Sequence, residues 1–125
     1  MSPVRDFLER ANITGLDTNA YINNIANNVT ALPNIGIAIS GGGYRALMIG
    51  AGAIAAFDSR TENATNKGHL GGLLQASTYM AGLSGGSWLV GTLYINNFTS
   101  IEAIINTNPN VSGSLWQFDK SVIQG

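Results

Sequence analysis

Twice along this chain a short apolar run breaks into a cluster of glycine and serine and then resumes as a longer apolar stretch. That recurrence limits the fold more than any other feature. Ile35-Gly36-Ile37-Ala38-Ile39 runs into Ser40-Gly41-Gly42-Gly43 and then Tyr44 to Asp58. Ser77-Thr78-Tyr79-Met80-Ala81 runs into Gly82-Leu83-Ser84-Gly85-Gly86 and then Ser87 to Asn96. The runs have the length and composition of buried strands, and the stretches behind the glycines have the length of buried helices. Strand, glycine turn and helix in that order, repeated, predict an α/β architecture with parallel strands. Gly50 and Gly52 inside the first apolar helix would each cost about 1 kcal/mol relative to Ala, which predicts close approach of a strand or neighbouring helix there.

The flanking segments are simpler. Ser2-Pro3 reads as an N-cap with proline in the first turn, and Val4, Phe7, Leu8 and Ala11 share one helical face. Asp17 caps a second helix, with Leu16 and Tyr21 as a hydrophobic staple and Ile22, Ile25, Ala26 and Val29 as its stripe, until Pro33 ends it. Asp58 to Gly68 is polar and reads as a surface loop, and Leu70 to Gln75 as a helical turn. The organisation expected is a helical lead-in over 1–33, the two glycine turns over 34–96 and a peripheral segment over 97–125. In the last of these, a helix bearing Ile101, Ile104 and Ile105 is followed by a loop and an aromatic segment with Leu115, Trp116 and Phe118.

Composition excludes some functions. The 125 residues suit one domain, and with a net charge of -1 there is no basic excess to neutralise a nucleic acid backbone. The longest apolar stretch, Ala46 to Phe57, falls well short of the roughly 20 residues that span a bilayer. Asn12, Asn28, Asn63, Asn97 and Asn110 each begin an Asn-X-Ser/Thr sequon, which predicts a glycosylated protein, secreted or at the cell surface. The amino terminus has no apolar leader core. Sequons without a leader lead to the expectation of a fragment of a longer protein. With no cysteine, the redox compartment is not legible.

Gly82-Leu83-Ser84-Gly85-Gly86 fits G-x-S-x-G, the nucleophile elbow, which places a serine on a strained strand-to-helix turn. Small neighbours are needed because the serine's backbone is contorted and the next N–H must face the reacting carbonyl. The bland alternative is a serine that merely caps the following helix. Ser40-Gly41-Gly42-Gly43 supplies a second need of acyl transfer: backbone N–H donors fixed at a helix N-terminus before negative charge develops. Gly42, Gly43 and Gly85 are the candidate oxyanion-hole donors. Arg45 is a cation in a helical first turn, which the dipole disfavours, so it implies a bound anion such as a substrate phosphate, or a neighbouring carboxylate.

A rival reading stays open at this point. GGGYRA also satisfies G-x-G-x-x-A, so Gly41 to Arg45 could cradle a dinucleotide, with Glu62 at the distance where a ribose-binding acid is required. Glu62 lies in a polar segment with no strand before it, and this rival leaves the second glycine turn unused. Ser40 is a weaker nucleophile candidate, because Ala38 replaces the first elbow glycine. An ordinary hydrolase triad runs serine, acid, histidine along the chain, whereas the single histidine, His69, precedes Ser84. After the serine only Glu102 and Asp119 are acidic. A third reading is an inactive remnant of a hydrolase.

The motifs SGGGYRA and GLSGGSW, with AFDSRT between them, LPNIGIAIS and WLVGTLY beside them and GSLWQF near the end, resemble the fungal phospholipase B or lysophospholipase family, related to the catalytic domain of the cytosolic phospholipases. The resemblance covers nearly the whole chain. It implies a three-layer, patatin-like or cytosolic-phospholipase-like α/β fold, incomplete here, and hydrolysis of the acyl esters of phospholipids and lysophospholipids without cofactor or metal. By motif match it implies Ser84 as nucleophile, Arg45 as substrate-binding arginine and Gly42 and Gly43 as oxyanion hole. It further implies a Ser-Asp dyad whose aspartate lies downstream of this chain and is not Asp119, so that the 125 residues alone are expected to be inactive. Secreted or surface-anchored glycoproteins make up the family, in agreement with the sequons.

Overall fold

The computed structural model describes residues 3–26 and 33–106. In chain order the elements are α1 (Pro3–Ala11), α2 (Thr18–Ala26), β1 (Gly36–Ile39), α3 (Gly43–Phe57), α4 (Leu73–Ala76), β2 (Tyr79–Gly82), α5 (Gly85–Ile95) and α6 (Ile101–Ile105). The expected α/β architecture is present. β1 and β2 pair in parallel, with Ile37 opposite Met80 and Ile39 opposite Gly82, so both strands end at the same level and their glycine turns emerge side by side.

One face of this small sheet carries the core. Ile37 joins Leu47, Ala51 and Ile54 of α3, Leu89 and Leu93 of α5, Leu74 of α4 and Ile101 and Ile104 of α6, with Ile39 and Met80 packed against them. The segment from residue 97 onward therefore begins inside the core, because Ser100 caps α6 by accepting from the Ala103 N–H and turns both isoleucines inward. On the other face, Ala38, Tyr79 and Ala81 are exposed among the described residues. The strands are thus covered on one side only, rather than buried as continuous runs. The same correction applies to the two apolar helices: α3 exposes Met48 and Ile49, and α5 exposes Trp88, Tyr94 and Ile95.

The two glycines inside α3 separate. A Cβ at Gly50 would lie 2.8 Å from Ile39 Cγ2 and 2.9 Å from Leu89 Cδ2, so here the helix does need glycine to approach the strand and α5. A Cβ at Gly52 would meet nothing within 4 Å, and the close approach expected there is not found.

At the amino end Asp17 caps α2 as the sequence predicts, its Oδ1 accepting from the Ala20 N–H at 2.9 Å. The stripe of α2 buries Ile22 and Ile25, and Val29 lies outside the described residues. α1 packs against α2 and α4, and Arg10 donates from Nη2 to the Gly71 carbonyl. No helix among the described residues is long and apolar enough to cross a membrane.

Asp58 is not the start of a solvated loop. Its side chain, 1% exposed, accepts from the Arg60 backbone N–H (2.9 Å), from Arg60 Nε and Nη2, and from Gln75 Nε2 (2.7 Å). Burial pushes the carboxyl up, but the hydrogen bonds from Arg60 and Gln75 and the Arg60 charge outweigh it and hold Asp58 below the usual carboxylate range. The cluster ties the far end of α3 to α4, just ahead of β2. Its sequence signal was weak, because Gln75 stands 17 positions from Asp58.

Candidate active site

Ser84 occupies the bend between β2 and α5 with φ 51° and ψ -120°, a left-handed conformation that costs a residue with a side chain about 1–3 kcal/mol. It is the N-cap of α5, yet its side chain makes no capping hydrogen bond. The bland reading of the serine as a helix cap is therefore not met: the residue is exposed and its side chain accepts no N–H of α5. The bend is held by backbone bonds on both sides. Leu83 N–H donates to Ile39 O at 3.0 Å, continuing the strand pairing into the turn, while Gly86 N–H donates to Leu83 O and Ser87 N–H to Ser84 O.

The first glycine turn lies against this bend. A Cβ at Gly41 would stand 2.9 Å from Ser84 Cβ and 3.2 Å from Leu83 O. One at Gly86 would stand 2.7 Å from Ser40 O, and one at Gly85 would collide with the Gly43 carbonyl. At Gly82 it would meet the Gly86 carbonyl at 2.6 Å. Each of these positions is glycine because another backbone already fills the space a side chain needs. Gly42 (φ 138°) and Gly43 (φ 65°) are glycine for a second reason, since the turn that opens α3 runs through positive φ.

Helices α3 and α5 consequently begin beside one another, with Ser84 at their common N-terminal end. Both dipoles present their positive ends here, and neither first turn carries an acidic residue. Among the described residues, the N–H groups of Gly42, Gly43 and Gly85 donate to no backbone carbonyl, as the first N–H groups of helices do. A cavity of about 240 Å³ is lined by Gly43, Tyr44, Leu47, Ser84, Gly85 and Trp88. Gly42 opens instead into an adjoining groove of about 490 Å³, with Ser40, Gly41 and Arg45. Arg45 is exposed and forms no salt bridge with a described residue, so the carboxylate partner that would have made it structural is not found among them.

The remaining candidates lie elsewhere. Glu62 and His69 line a separate depression in the 58–72 segment, where His69 Nδ1 is 2.9 Å from the Asn63 carbonyl. β2 ends in Gly82 with no acid directly after it, so the dinucleotide reading lacks the ribose-binding carboxylate at the end of its second strand. Glu102 is exposed on α6, and Asp119 lies outside the described residues. No described acid or imidazole lines the cavity of Ser84. Of the sequon asparagines, Asn12, Asn63 and Asn97 are exposed and all have positive φ (45°, 61° and 52°). Asn28 and Asn110 lie outside the described residues. Sequence reasoning missed Tyr44, Leu47 and Trp88 as cavity walls; the signal available was the four-residue spacing from Ser84 to Trp88, which brings both to one helical face.

Comparison with known proteins agrees with the motifs. Residues 35–125 match the family described as "Lysophospholipase catalytic domain". The chain is 54% identical over its full length to a lysophospholipase of Penicillium chrysogenum, of which it covers 20%. It is 56% identical over 99% of its length to lysophospholipase 1 of Aspergillus fumigatus, covering 19% of that protein. It is 54% identical over 96% of its length to a lysophospholipase of Arthroderma benhamiae, covering 18%. No solved structure gives a significant match. The chain belongs to the lysophospholipase catalytic domain family and spans about a fifth of the length of the curated relatives it matches.

Proposed function

We propose that this member of the family provides the nucleophile and oxyanion-binding part of a lysophospholipase or phospholipase B, a serine hydrolase of carboxylic esters in lysophospholipids and phospholipids. The observation that carries the reading is the left-handed bend at Ser84, set against the triple-glycine turn at the shared N-termini of α3 and α5. In this reading Ser84 Oγ attacks the ester carbonyl carbon while its proton passes to a base. The carbonyl oxygen becomes an oxyanion that accepts hydrogen bonds from the N–H groups of Gly42 or Gly43 and of Gly85. Collapse expels the alcohol, which takes up the proton, and water then hydrolyses the acyl-serine to a fatty acid and free Ser84. The base is an aspartate from the remainder of the parent protein, completing a Ser-Asp dyad. Arg45 binds the substrate phosphate, an assignment favoured by its exposed guanidinium beside the glycine turn.

The parent domain, on the same reading, is a three-layer patatin-like α/β fold. Support comes from the bare sheet face of Ala38 and Ala81, since parallel sheets are ordinarily covered on both faces. The exposed asparagines Asn12, Asn63 and Asn97 suit a glycosylated protein at the cell surface or outside it. Labelling the full-length parent with a fluorophosphonate tests the nucleophile: the adduct should map to Ser84 and vanish in Ser84→Ala. An adduct that persists in that variant removes Ser84 from the role.

A further inference from the structure

The described sequon asparagines all lie at the end of the fold opposite Ser84. Asn97 stands two residues beyond α5, a helix that carries the chain about 16 Å along its axis from the serine. Asn63 follows the C-terminal end of α3, on a loop closed by Gly72 N–H donating to Phe57 O and Gly71 N–H to Ala64 O. Arg60, Tyr94 and Phe98 line one groove, which brings the ends of α3 and α5 together. Arg10 donates to the carbonyl of Gly71, so the end of α1, and Asn12 with it, reaches the same region. An exposed apolar side chain accompanies each asparagine. Ile13, 50% exposed, follows Asn12; Leu70, 48% exposed, lines one depression with Asn63; and Ile95, 85% exposed, ends α5 beside Tyr94. Asn97 is fixed against that last turn. Its N–H donates to Tyr94 O (3.2 Å) and the Phe98 N–H to Leu93 O (2.7 Å), the paired bonds of a Schellman motif with Asn97 in the left-handed position.

We propose that N-linked glycans at Asn12, Asn63 and Asn97 cover Ile13, Leu70 and Ile95, with the glycan of Asn97 over Ile95 as the principal case. The inference rests on the reading of this protein as a glycoprotein at the cell surface or outside it. A single exposed isoleucine is ordinary on a protein surface; what distinguishes these side chains is that each described sequon has one beside it. The first N-acetylglucosamine supplies what such a side chain lacks in water. Its ring has a face of C–H groups and an acetyl methyl to lie against hydrocarbon, while its hydroxyls stay hydrated. Because the sugar is held covalently at a neighbouring residue, it covers the side chain without the loss of translational freedom that a separate ligand meets. At the opposite end Tyr44, Met48, Leu83 and Trp88 are exposed with no described sequon beside them, so the glycans leave the approach to Ser84 open.

The test uses the full-length parent, secreted by a host that makes high-mannose glycans, and the hydrophobic dye bis-ANS. Peptide mapping first establishes which of the three asparagines are occupied. Native treatment with a peptide N-glycosidase, which removes the whole glycan, should raise dye fluorescence about twofold or more, whereas an endoglycosidase that leaves the first sugar in place should keep it near the untreated level. In the triple variant Ile13→Ser/Leu70→Ser/Ile95→Ser the rise on complete removal should be less than about half as large. Occupied sites with no rise, or a rise undiminished in the triple variant, overturn the proposal, because the rest of the parent then covers these side chains or the dye binds elsewhere. A full rise with the first sugar still present overturns it as well. The glycoprotein reading survives all three results. If none of the asparagines is occupied, that reading falls and this proposal with it, and an empty Asn97 alone removes the cover over Ile95. Near-ultraviolet circular dichroism unchanged by each treatment confirms that the fold is kept. Should the triple variant fail to be secreted, Ile95→Ser replaces it, and an undiminished rise there is equally decisive against the proposal.

Discussion

Replacing Arg60 should destabilise the chain more than neutralising the buried carboxylate it serves. Asp58 is 1% exposed, whereas the Arg60 side chain is 48% exposed, so the partners differ in what each faces when left alone. Arg60→Ala deletes the Nε bonds to Oδ1 (2.9 Å) and Oδ2 (3.0 Å) and the Nη2 bond to Oδ2 (2.7 Å). Oδ1 keeps the residue-60 backbone N–H and Gln75, but Oδ2 loses every donor shown. A buried charge stripped of its partner costs about 3–5 kcal/mol; with two donors surviving on Oδ1, we expect about 3 kcal/mol, set against a total stability of about 5–15 kcal/mol. Asp58→Asn instead returns a half-exposed guanidinium to water and keeps a hydrogen-bonding amide, so about 1–2 kcal/mol is expected. The double variant should then be more stable than Arg60→Ala alone. Urea unfolding of the chain, followed by far-ultraviolet circular dichroism, measures all four corners of this cycle.

The pH dependence has a definite sign. In the wild type the folded carboxyl is held below its unfolded value, so its contribution is present above about pH 4 and is lost as pH falls through the lower folded value. Without Arg60, burial is opposed only by the backbone N–H and Gln75, the folded value rises, and protonation becomes less unfavourable to the fold. The deficit of Arg60→Ala should therefore shrink as pH is lowered from about 7 to about 5. If Asp58→Asn proves the costlier single change, or if the deficit is flat with pH, the carboxylate is not the group that needs rescuing and the reasoning is wrong.

Three other outcomes are expected. In α3, Gly50→Ala should destabilise by about 1–2 kcal/mol because its methyl meets Ile39 and Leu89, whereas Gly52→Ala, in open space, should stabilise by about 0.5–1 kcal/mol; urea midpoints moving in the same direction would contradict the packing. Ser84→Gly should raise the stability of the chain by roughly 1 kcal/mol by releasing the left-handed strain, while abolishing fluorophosphonate labelling of the parent, and a destabilised variant would mean the bend is not strained. In parent protein secreted by a eukaryotic host, peptide mass mapping after deglycosylation should find Asn97 converted to Asp; Asn97→Gly removes the acceptor while suiting φ 52°, and an unmodified Asn97 peptide counts against this site.

Where the sequence was legible, the determinants were local. The glycine turns, the parallel order of the strands and the cap at Asp17 follow from neighbours within a few residues. The register of β2 was displaced because Ser77 closes α4, its N–H and Oγ both donating to Leu74 O, so the strand begins only at Tyr79. It also runs on into Gly82, because the pairing with β1 continues through the Leu83 N–H. What was not legible depended on distance along the chain. Asp58 looked like the first residue of a polar loop, since nothing near it announces Gln75. The apolar helices looked buried all round because hydrophobicity says that a face will be covered without saying by which residues.

The strain at Ser84 and the glycines around it are one arrangement. A serine at positive φ persists only if its surroundings hold it there, and here the neighbouring glycine backbones crowd the bend. Gly41 lies against Ser84 and the Leu83 carbonyl, Gly86 against the carbonyls of Ile39 and Ser40, and Gly85 against Gly43. Apart from Ser84 Cβ beside Gly41, the atoms that crowd these glycines are backbone, which no rotamer change can move aside. At the other end of the same elements, the Asp58–Arg60–Gln75 cluster fixes where α3 finishes and how the chain re-enters β2. α3 is thus held at both ends, by glycine packing at its N-terminus and by a buried carboxylate at its C-terminus. Because β2 and α5 share the bend, any shift of α3 along its axis would reach Ser84 through Gly43 and Gly85.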